Sequence, residues 1–372
     1  MARKTGSATL ITTNEPKVSV LMSVFNGDRY LQQAIESILN QSYTDFEFVI
    51  VDDGSSQATK EILTAQKDRR IVLITNPSNI GLTKSLNLGL AKCRGEYIAR
   101  MDSDDISHSE RLERQVTFLD QNPEISVTGT QIRVIDHTGK ILKYSNISRG
   151  TTALSCRWQH LFDSPVAHPS AMFRREIVYN KLGGYDETFT TSQDYELWSR
   201  AIKFHEIANL EEVLLDFRSH SGSVSKQYSR ENIIKVANLF QNNLTAAIGN
   251  HDILSTFGFN WVSVTNPYTM PTLPDYKEVI KQMLLIHKLF HKKYQVDRHK
   301  VARQEIKAHI VEKFCLIGLA ASDIDRGATF STLLYALKYG SPNFTKFHLK
   351  LAILSLLGYR RLQKLKLFSG FR

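Results

Sequence analysis

Apolar positions in the first hundred residues fall into short runs whose period alternates between that of a strand and that of a helix. Val18 to Val24, VSVLMSV, is a β-rich run closed by Phe25-Asn26-Gly27 and reads as a buried strand ending in a turn. Leu31, Ala34, Ile35, Ile38 and Leu39 then recur at helical spacing. The pattern repeats. FEFVIVDDGSS predicts a strand and turn, a helix runs through Ile62 and Leu63, RIVLITN predicts a third strand, Leu82 to Ala91 a helix, and GEYIARMD a fourth strand. Strands and helices in this alternation imply parallel βαβ units and a doubly wound α/β sheet.

Further on, Gln115 to Ile135 predicts one more helix and the strand ISVTGTQIRVI, while Thr151 to about Ser225 mixes helices with exposed polar motifs and shows no clear repeat. Pro267, Pro271 and Pro274 mark an expected linker. Beyond it Val279, Met283, Ile286 and Phe290 form one face of a helix, and the remainder reads as helical. The expected division is 1–235, an α/β domain, and 236–372, a mainly helical region with a basic amphipathic tail.

Ligands of open α/β sheets bind at the carboxyl ends of the strands. Here those ends read SVFNG, VDDGSS, NPSNIG and MDSDD. Asp102, Asp104 and Asp105 crowd three carboxylates into four residues, an arrangement that repels itself unless a cation or a hydrogen-bond network occupies the space between. Two carboxylates two residues apart suit Mg²⁺ or Mn²⁺, which take hard oxygen ligands and keep water and phosphate in their shell. Asp105 or Ser107 is expected to cap the helix carrying Arg111, Leu112 and Gln115. Asp53, ending the second strand, can accept hydrogen bonds from a ribose or base, or simply form the turn. No GxGxxG follows the first strand, which argues against a dinucleotide site. Asp194 and Glu196 lie in an amphipathic segment, TSQDYELWSRA, where a carboxylate can serve as a general base.

Composition adds three constraints. The chain's 372 residues, 42% hydrophobic and 23% charged, suit a folded protein of about two units. Three widely spaced cysteines form neither a disulfide framework nor a zinc pattern, so a reducing compartment is expected, and the sequence shows no secretion signal or membrane span. The net charge of +10 is uneven, because Gly327 to Arg372 holds eight Lys or Arg and no acid. Such a segment is either an interfacial helix on anionic lipid or a packed helix with a basic face; no nucleic-acid motif accompanies it.

In their order and spacing, the motifs VSVLMSVFNGDRYLQQAIESILNQSYTDFEFVIVDDGSS, NIGLTKSLNLGLAKCRGEYIARMDSDDISHSERLERQ and SQDYELWSRA resemble those of family 2 glycosyltransferases, over about Lys17 to Ser225. The resemblance implies a GT-A fold, with a Rossmann-like, mostly parallel sheet flanked by helices and followed by a smaller helical region. It also implies an inverting enzyme that moves a sugar from a nucleotide-sugar donor, UDP-linked, to a hydroxyl of a glycan or lipid-linked glycan, as in cell-envelope polysaccharide synthesis.

By position, Ser23 and Phe25 match residues near the nucleobase, Asp53 the acid contacting base or ribose, and Asn79 and Gly81 the nucleotide pocket. Asp102 matches a residue near ribose and diphosphate that also serves the metal, Asp104 the stronger ligand of Mn²⁺ or Mg²⁺, and His220 of DFRSHSGSVS a further ligand. Asp194 matches the catalytic base, with Gln193 where the family usually has Glu, and His168 to Arg175 is expected to line the acceptor side. The implied location is cytoplasmic, with peripheral contact through the tail at the inner face of the membrane. Alternatives with a related core are a sugar nucleotidyltransferase, whose Gly-rich basic loop SVFNGDRY lacks, and a non-catalytic nucleotide-binding scaffold.

Overall fold

In a computed structural model, residues 15–27, 29–147, 149–220, 230–265, 274–321 and 325–339 are described. Pro267 and Pro271 of the expected linker, and the basic tail from residue 340, lie outside them.

Four parallel strands form one half of the sheet: β1 (Val18–Val24), β2 (Phe46–Asp52), β3 (Ile71–Thr75) and β4 (Tyr97–Met101), ordered β3-β2-β1-β4. Helices α1 (Leu31–Leu39), α2 (Gln57–Ala65) and α3 (Leu82–Leu90) connect them. Every residue of β1, β2 and β4 is buried, because apolar layers cover both faces. Val18, Val20, Met22 and Val24 pack with Leu31, Ala34, Ile35 and Ile38 of α1, while Leu21, Val49 and Val51 pack with Leu86 and Leu90 of α3. The paired residues Val24 with Asp52, Asp52 with Thr75, and Met22 with Met101 bring all four carboxyl ends to one edge. Order reverses between β1 and β4, the switch point where such sheets open a crevice.

The sheet continues in mixed fashion through β5 (Ile106–Ser107), β6 (Ile125–Ile135), β7 (Ile141–Ile147), β8 (Met172–Arg174) and β9 (Glu206–Arg218), making nine strands among the described residues. The strand β8 runs antiparallel to β4 and β6, while β9 runs parallel to β6, so only the β3-β2-β1-β4 half is parallel throughout, as the sequence outlined it. In the short pairing of β5 with β9, Ile106 lies opposite Asp216, which carries the end of β9 to the Asp102–Asp105 turn. The helix α4 (Arg111–Gln121) covers one face, and α5 (Ala153–Gln159) and α6 (Gln193–Ala201) come from the region that had shown no repeat.

The C-terminal region is helical: α7 (Arg230–Ile248), α8 (Phe257–Thr265), α9 (Tyr276–Tyr294), α10 (Lys300–Ala321) and α11 (Arg326–Tyr339). Val279, Met283, Ile286 and Phe290 of α9 are fully buried, on the face the spacing predicts. The expected division at residue 235 falls inside α7, whose Ile233 already belongs to the helical core. That core also takes in Trp158 of α5 and Phe162, so the two regions share one apolar cluster. Trp158 Nε1 donates to His309 Nδ1 at 3.1 Å and Trp261 Nε1 to the Phe162 carbonyl at 2.7 Å, tying the helices to the α/β part.

Candidate functional site

The carboxyl edge of the sheet begins with the turn after β1. Asn26 sits at φ 53°, a conformation Asn tolerates, and its side-chain oxygen accepts from Ser56 N–H at 2.8 Å, while its own N–H donates to Ser55 Oγ at 3.1 Å. Gly54, at φ 71°, allows the β2 loop to lie against the β3 loop; a Cβ there would stand 2.5 Å from the Ser78 carbonyl carbon. Asp53 fastens that neighbour. Its Oδ1 accepts from Asn76 Nδ2 and Ile80 N–H, and its Oδ2 from Gly81 N–H, each at 2.9 Å. With both oxygens engaged and the residue buried, Asp53 shapes the loop holding Asn79 and Gly81. Ser23 is nearly buried at the end of β1, whereas Phe25 beside it is 50% exposed, a large ring presented to solvent at the sheet edge.

Across the switch point, ligand oxygens of Asp102, Asp104 and Asp105 lie within 4.8 Å of one another. Each has a different neighbour. Asp102 Oδ1 pairs with the buried Arg100 at 2.5 Å, Asp104 Oδ2 lies 2.8 Å from His220 Nε2, and Asp105 Oδ1 accepts from Arg218 N–H at 2.8 Å. The Arg218 side chain completes the wall: its Nε donates to the Asp104 carbonyl at 2.8 Å, and its guanidinium sits 4.5 Å from the Tyr30 ring.

Burial pushes the Asp104 carboxyl up, with the Asp102 charge adding to it. Burial likewise raises Asp105 well above the usual range, helped by both neighbouring carboxylates. Asp105 Oδ2 is buried with no hydrogen-bond partner among the described residues. The helix-capping role expected of Asp105 is therefore corrected: α4 is preceded by Glu110, and Asp105 turns inward to the aspartate cluster because β5 intervenes before the helix. Three hard oxygens in mutual repulsion, one of them an orphan, fit a divalent cation.

Asp194 occupies a separate patch, in the first turn of α6. Its Oδ2 stands 3.5 Å from Ser164 Oγ. Burial raises its carboxyl; the helix-terminal N–H groups and the Arg100 and Arg149 charges oppose that rise. Glu196 is committed elsewhere, gripping Arg200 with both oxygens at 2.7 Å. Arg100 is the electrostatic link between the patches, paired with Asp102 and acting on Asp194.

The stretch His168 to Arg175, expected on the acceptor side, is largely structural. His168 is buried and shares a 2.8 Å hydrogen bond with Tyr185 Oη, and Arg174 donates to the carbonyls of Leu119 and Ile125. Arg100 and Arg218 escaped the sequence reading. A charged residue inside the apolar strand YIARM was the available signal for Arg100, whereas Arg218 needed the β5–β9 pairing to be seen.

The family described as "Glycosyl transferase family 2" matches residues 19–180. Among curated relatives, the O-antigen biosynthesis glycosyltransferase WbnJ of Escherichia coli is 37% identical over 221 residues, covering 56% of this chain and 82% of that protein. The amylovoran biosynthesis glycosyltransferase AmsE of Erwinia amylovora is 33% identical over 215 residues, 56% of this chain and 79% of its own length. Among solved structures, S. aureus TarS residues 1–349, in complex with UDP-GlcNAc, aligns over 86% of this chain and 90% of its own with a TM-score of 0.56 at 16% identity, a likeness of fold. The family match spans the strand ends that carry Phe25, Asp53 and the aspartate cluster, and relatives above 30% identity are covered over most of their length. On those grounds the chain belongs to glycosyl transferase family 2 and is a glycosyltransferase.

Proposed function

We propose that the enzyme transfers a sugar, with inversion, from a UDP-linked donor to a hydroxyl of a glycan or lipid-linked glycan during surface polysaccharide synthesis. The observation that carries this reading is the cluster of three carboxylate oxygens within 4.8 Å at the switch point, beside the exposed Phe25 ring. The O-antigen and amylovoran relatives support the polysaccharide, and the UDP-GlcNAc bound by TarS is consistent with a UDP donor.

In this reading Phe25 stacks on the base, Ser23 and the Asn79–Gly81 loop line the nucleotide pocket, and Asp53 acts through that loop. Asp102, Asp104 and His220 would hold Mn²⁺ or Mg²⁺, with Asp105 added to the set by its orphan oxygen. When bound, the cation neutralises charge on the leaving diphosphate. Asp194 takes the proton of the acceptor hydroxyl as that oxygen attacks the anomeric carbon opposite the leaving group. Arg100, buried beneath Asp102, keeps that carboxylate oriented.

The protein's peripheral partner, in the same reading, is the anionic inner face of the cytoplasmic membrane. The acid-free stretch from Gly327 to Arg372 supports this. So does α11, which buries Ala328, Thr329, Thr332 and Ala336 and leaves Phe330, Leu334 and Leu337 more than half exposed. No described helix is long and apolar enough to cross a membrane.

The test is thermal shift with UDP, GDP and dTDP sugars, with and without Mn²⁺, on wild type and Asp104→Ala. A ligand of the folded state raises the melting temperature by mass action. The expected result is a Mn²⁺-dependent shift with UDP sugars that the variant loses. Absence of a shift with every nucleotide at millimolar concentration would overturn the donor assignment.

A further inference from the structure

The helix α10 makes polar contacts with the α/β part through Glu305, His309 and Lys313, and all of these fall on the segment that ends beside Asp194. At one end, the Glu305 carboxylate accepts from Thr151 N–H at 3.1 Å and from Thr151 Oγ1 at 2.7 Å. Two turns along α10, Lys313 Nζ donates to Asp163 Oδ2 at 2.5 Å, and His309 Nε2 stands 3.5 Å from the same oxygen. The His309 tautomer suits this, because Nδ1 accepts from Trp158 and leaves the proton on Nε2.

Between these anchors, Arg149 reaches across the segment, donating to the Ser164 carbonyl at 2.8 Å and lying 3.6 Å from Asp163 Oδ1. Ser164, next in sequence to the clamped Asp163, is the residue whose hydroxyl faces Asp194 Oδ2. Lys313 is 4% exposed, and a buried cation is tolerated only against a partner held in place. This pair sits where the helical region meets the α/β part, between Phe162 and Phe314 of the shared apolar cluster in sequence.

We propose that α10 is a positioning element for transfer: through Lys313 and Glu305 it clamps residues 150–164 and so fixes Ser164 and Arg149 against Asp194. This rests on Asp194 being the base. It assigns the helical region a part in the reaction, acting on the acceptor side while leaving the nucleotide half untouched. Charged groups acting on Asp194 are Arg100 from β4 and Arg149, held to the clamped segment through the Ser164 carbonyl, and Tyr185 is a third titratable group that feels its charge. Loosening the clamp removes Arg149 and leaves burial less opposed.

The test compares wild type with Lys313→Met and, as a milder variant that keeps the fold should the first not, Glu305→Gln. Three quantities are read: UDP affinity, the rate and pH profile of UDP release from UDP-GlcNAc and other UDP sugars with Mn²⁺, and amide hydrogen exchange over residues 149–165. The clamp predicts unchanged UDP affinity, UDP release slower by about tenfold or more because a small misplacement of reacting groups is costly, an acid limb moved to higher pH, and faster exchange in that segment. Wild-type exchange and an unmoved pH profile in both variants would overturn it. If wild type releases no UDP from any donor, the transferase reading fails instead, and the exchange measurement still decides the clamp.

Discussion

At the scale of single residues, the three candidate carboxylates in the reaction are distinguished by what surrounds them. Glu196 is spent on Arg200, Asp53 on the Asn79–Gly81 loop, and of the three Asp194 alone has a carboxyl whose only side-chain neighbour among the described hydrogen bonds is a distant serine. Asp194→Asn is expected to leave UDP affinity intact and lower turnover by about 10²–10⁴-fold, the usual weight of a general base; equal turnover in the variant, measured as UDP release, would remove it from the reaction. A second expectation concerns acid stability. Burial holds His160 down to about 3 and His168 well below its ordinary value, so both are neutral in the folded protein, whereas in the unfolded chain they take up protons from about pH 6.5 downward. The unfolded state then binds more protons, and stability falls as pH drops through that window, by about 2 kcal/mol per histidine between pH 6.5 and 5. Urea midpoints of wild type and His160→Gln across that range check it: the slope is expected to be shallower in the variant.

Elements show why some of the site was legible in the sequence and some was not. The strand β1 and the helix α9 were readable because each lies in one apolar environment along its length, so period and burial agree: all of β1 is covered, and one face of α9 is. The strand β9 was not. EIANLEEVLLDFR carries Glu211 and Glu212 in mid-strand, exposed where the pairing with β6 shifts register, and that break hides a thirteen-residue strand from any simple alternation. Missing β9 meant missing Arg218, which it delivers, while His220 was reached only through the family resemblance. Asp105 was misread for the same reason, since β5 exists only by pairing with β9. The β2 loop makes the opposite case, in which sequence and structure agree on the element and the structure adds its tension. Gly54→Ala places a Cβ against the backbone of Ser78 at a positive φ, and it is expected to cost about 1–3 kcal/mol and to weaken UDP binding, because the displaced backbone leads directly into Asn79. Melting temperature and UDP titration of the variant report the two effects separately.

For the whole molecule, the decisive feature is polarity of arrangement. The sheet's carboxyl edge gathers acidic strand ends, while the sequence of the helical region ends in a stretch with eight basic residues and no acid, so one chain combines an acidic cluster with a strongly basic terminal sequence. The helix α11 sharpens this, because it reverses the ordinary order of a surface helix. Small and polar residues, Ala328, Thr329, Thr332 and Ala336, are buried, and Phe330, Leu334 and Leu337, spaced to share a face, are 55%, 51% and 54% exposed. Apolar side chains so placed are costly in water and favourable at the boundary of a bilayer, where basic groups nearby meet anionic headgroups. Each such group near the surface contributes about 1 kcal/mol, an attraction that salt weakens. The full chain is therefore expected to sediment with vesicles containing phosphatidylglycerol, to lose most of that binding in high salt, and to bind pure phosphatidylcholine weakly. Phe330→Ser with Leu334→Ser is expected to lower binding to anionic vesicles without altering UDP affinity, since α11 contributes nothing to the crevice. Equal binding by wild type and variant would show that the exposed face of α11 is not what meets the lipid, and binding indifferent to headgroup charge would remove the basic terminus from the account as well.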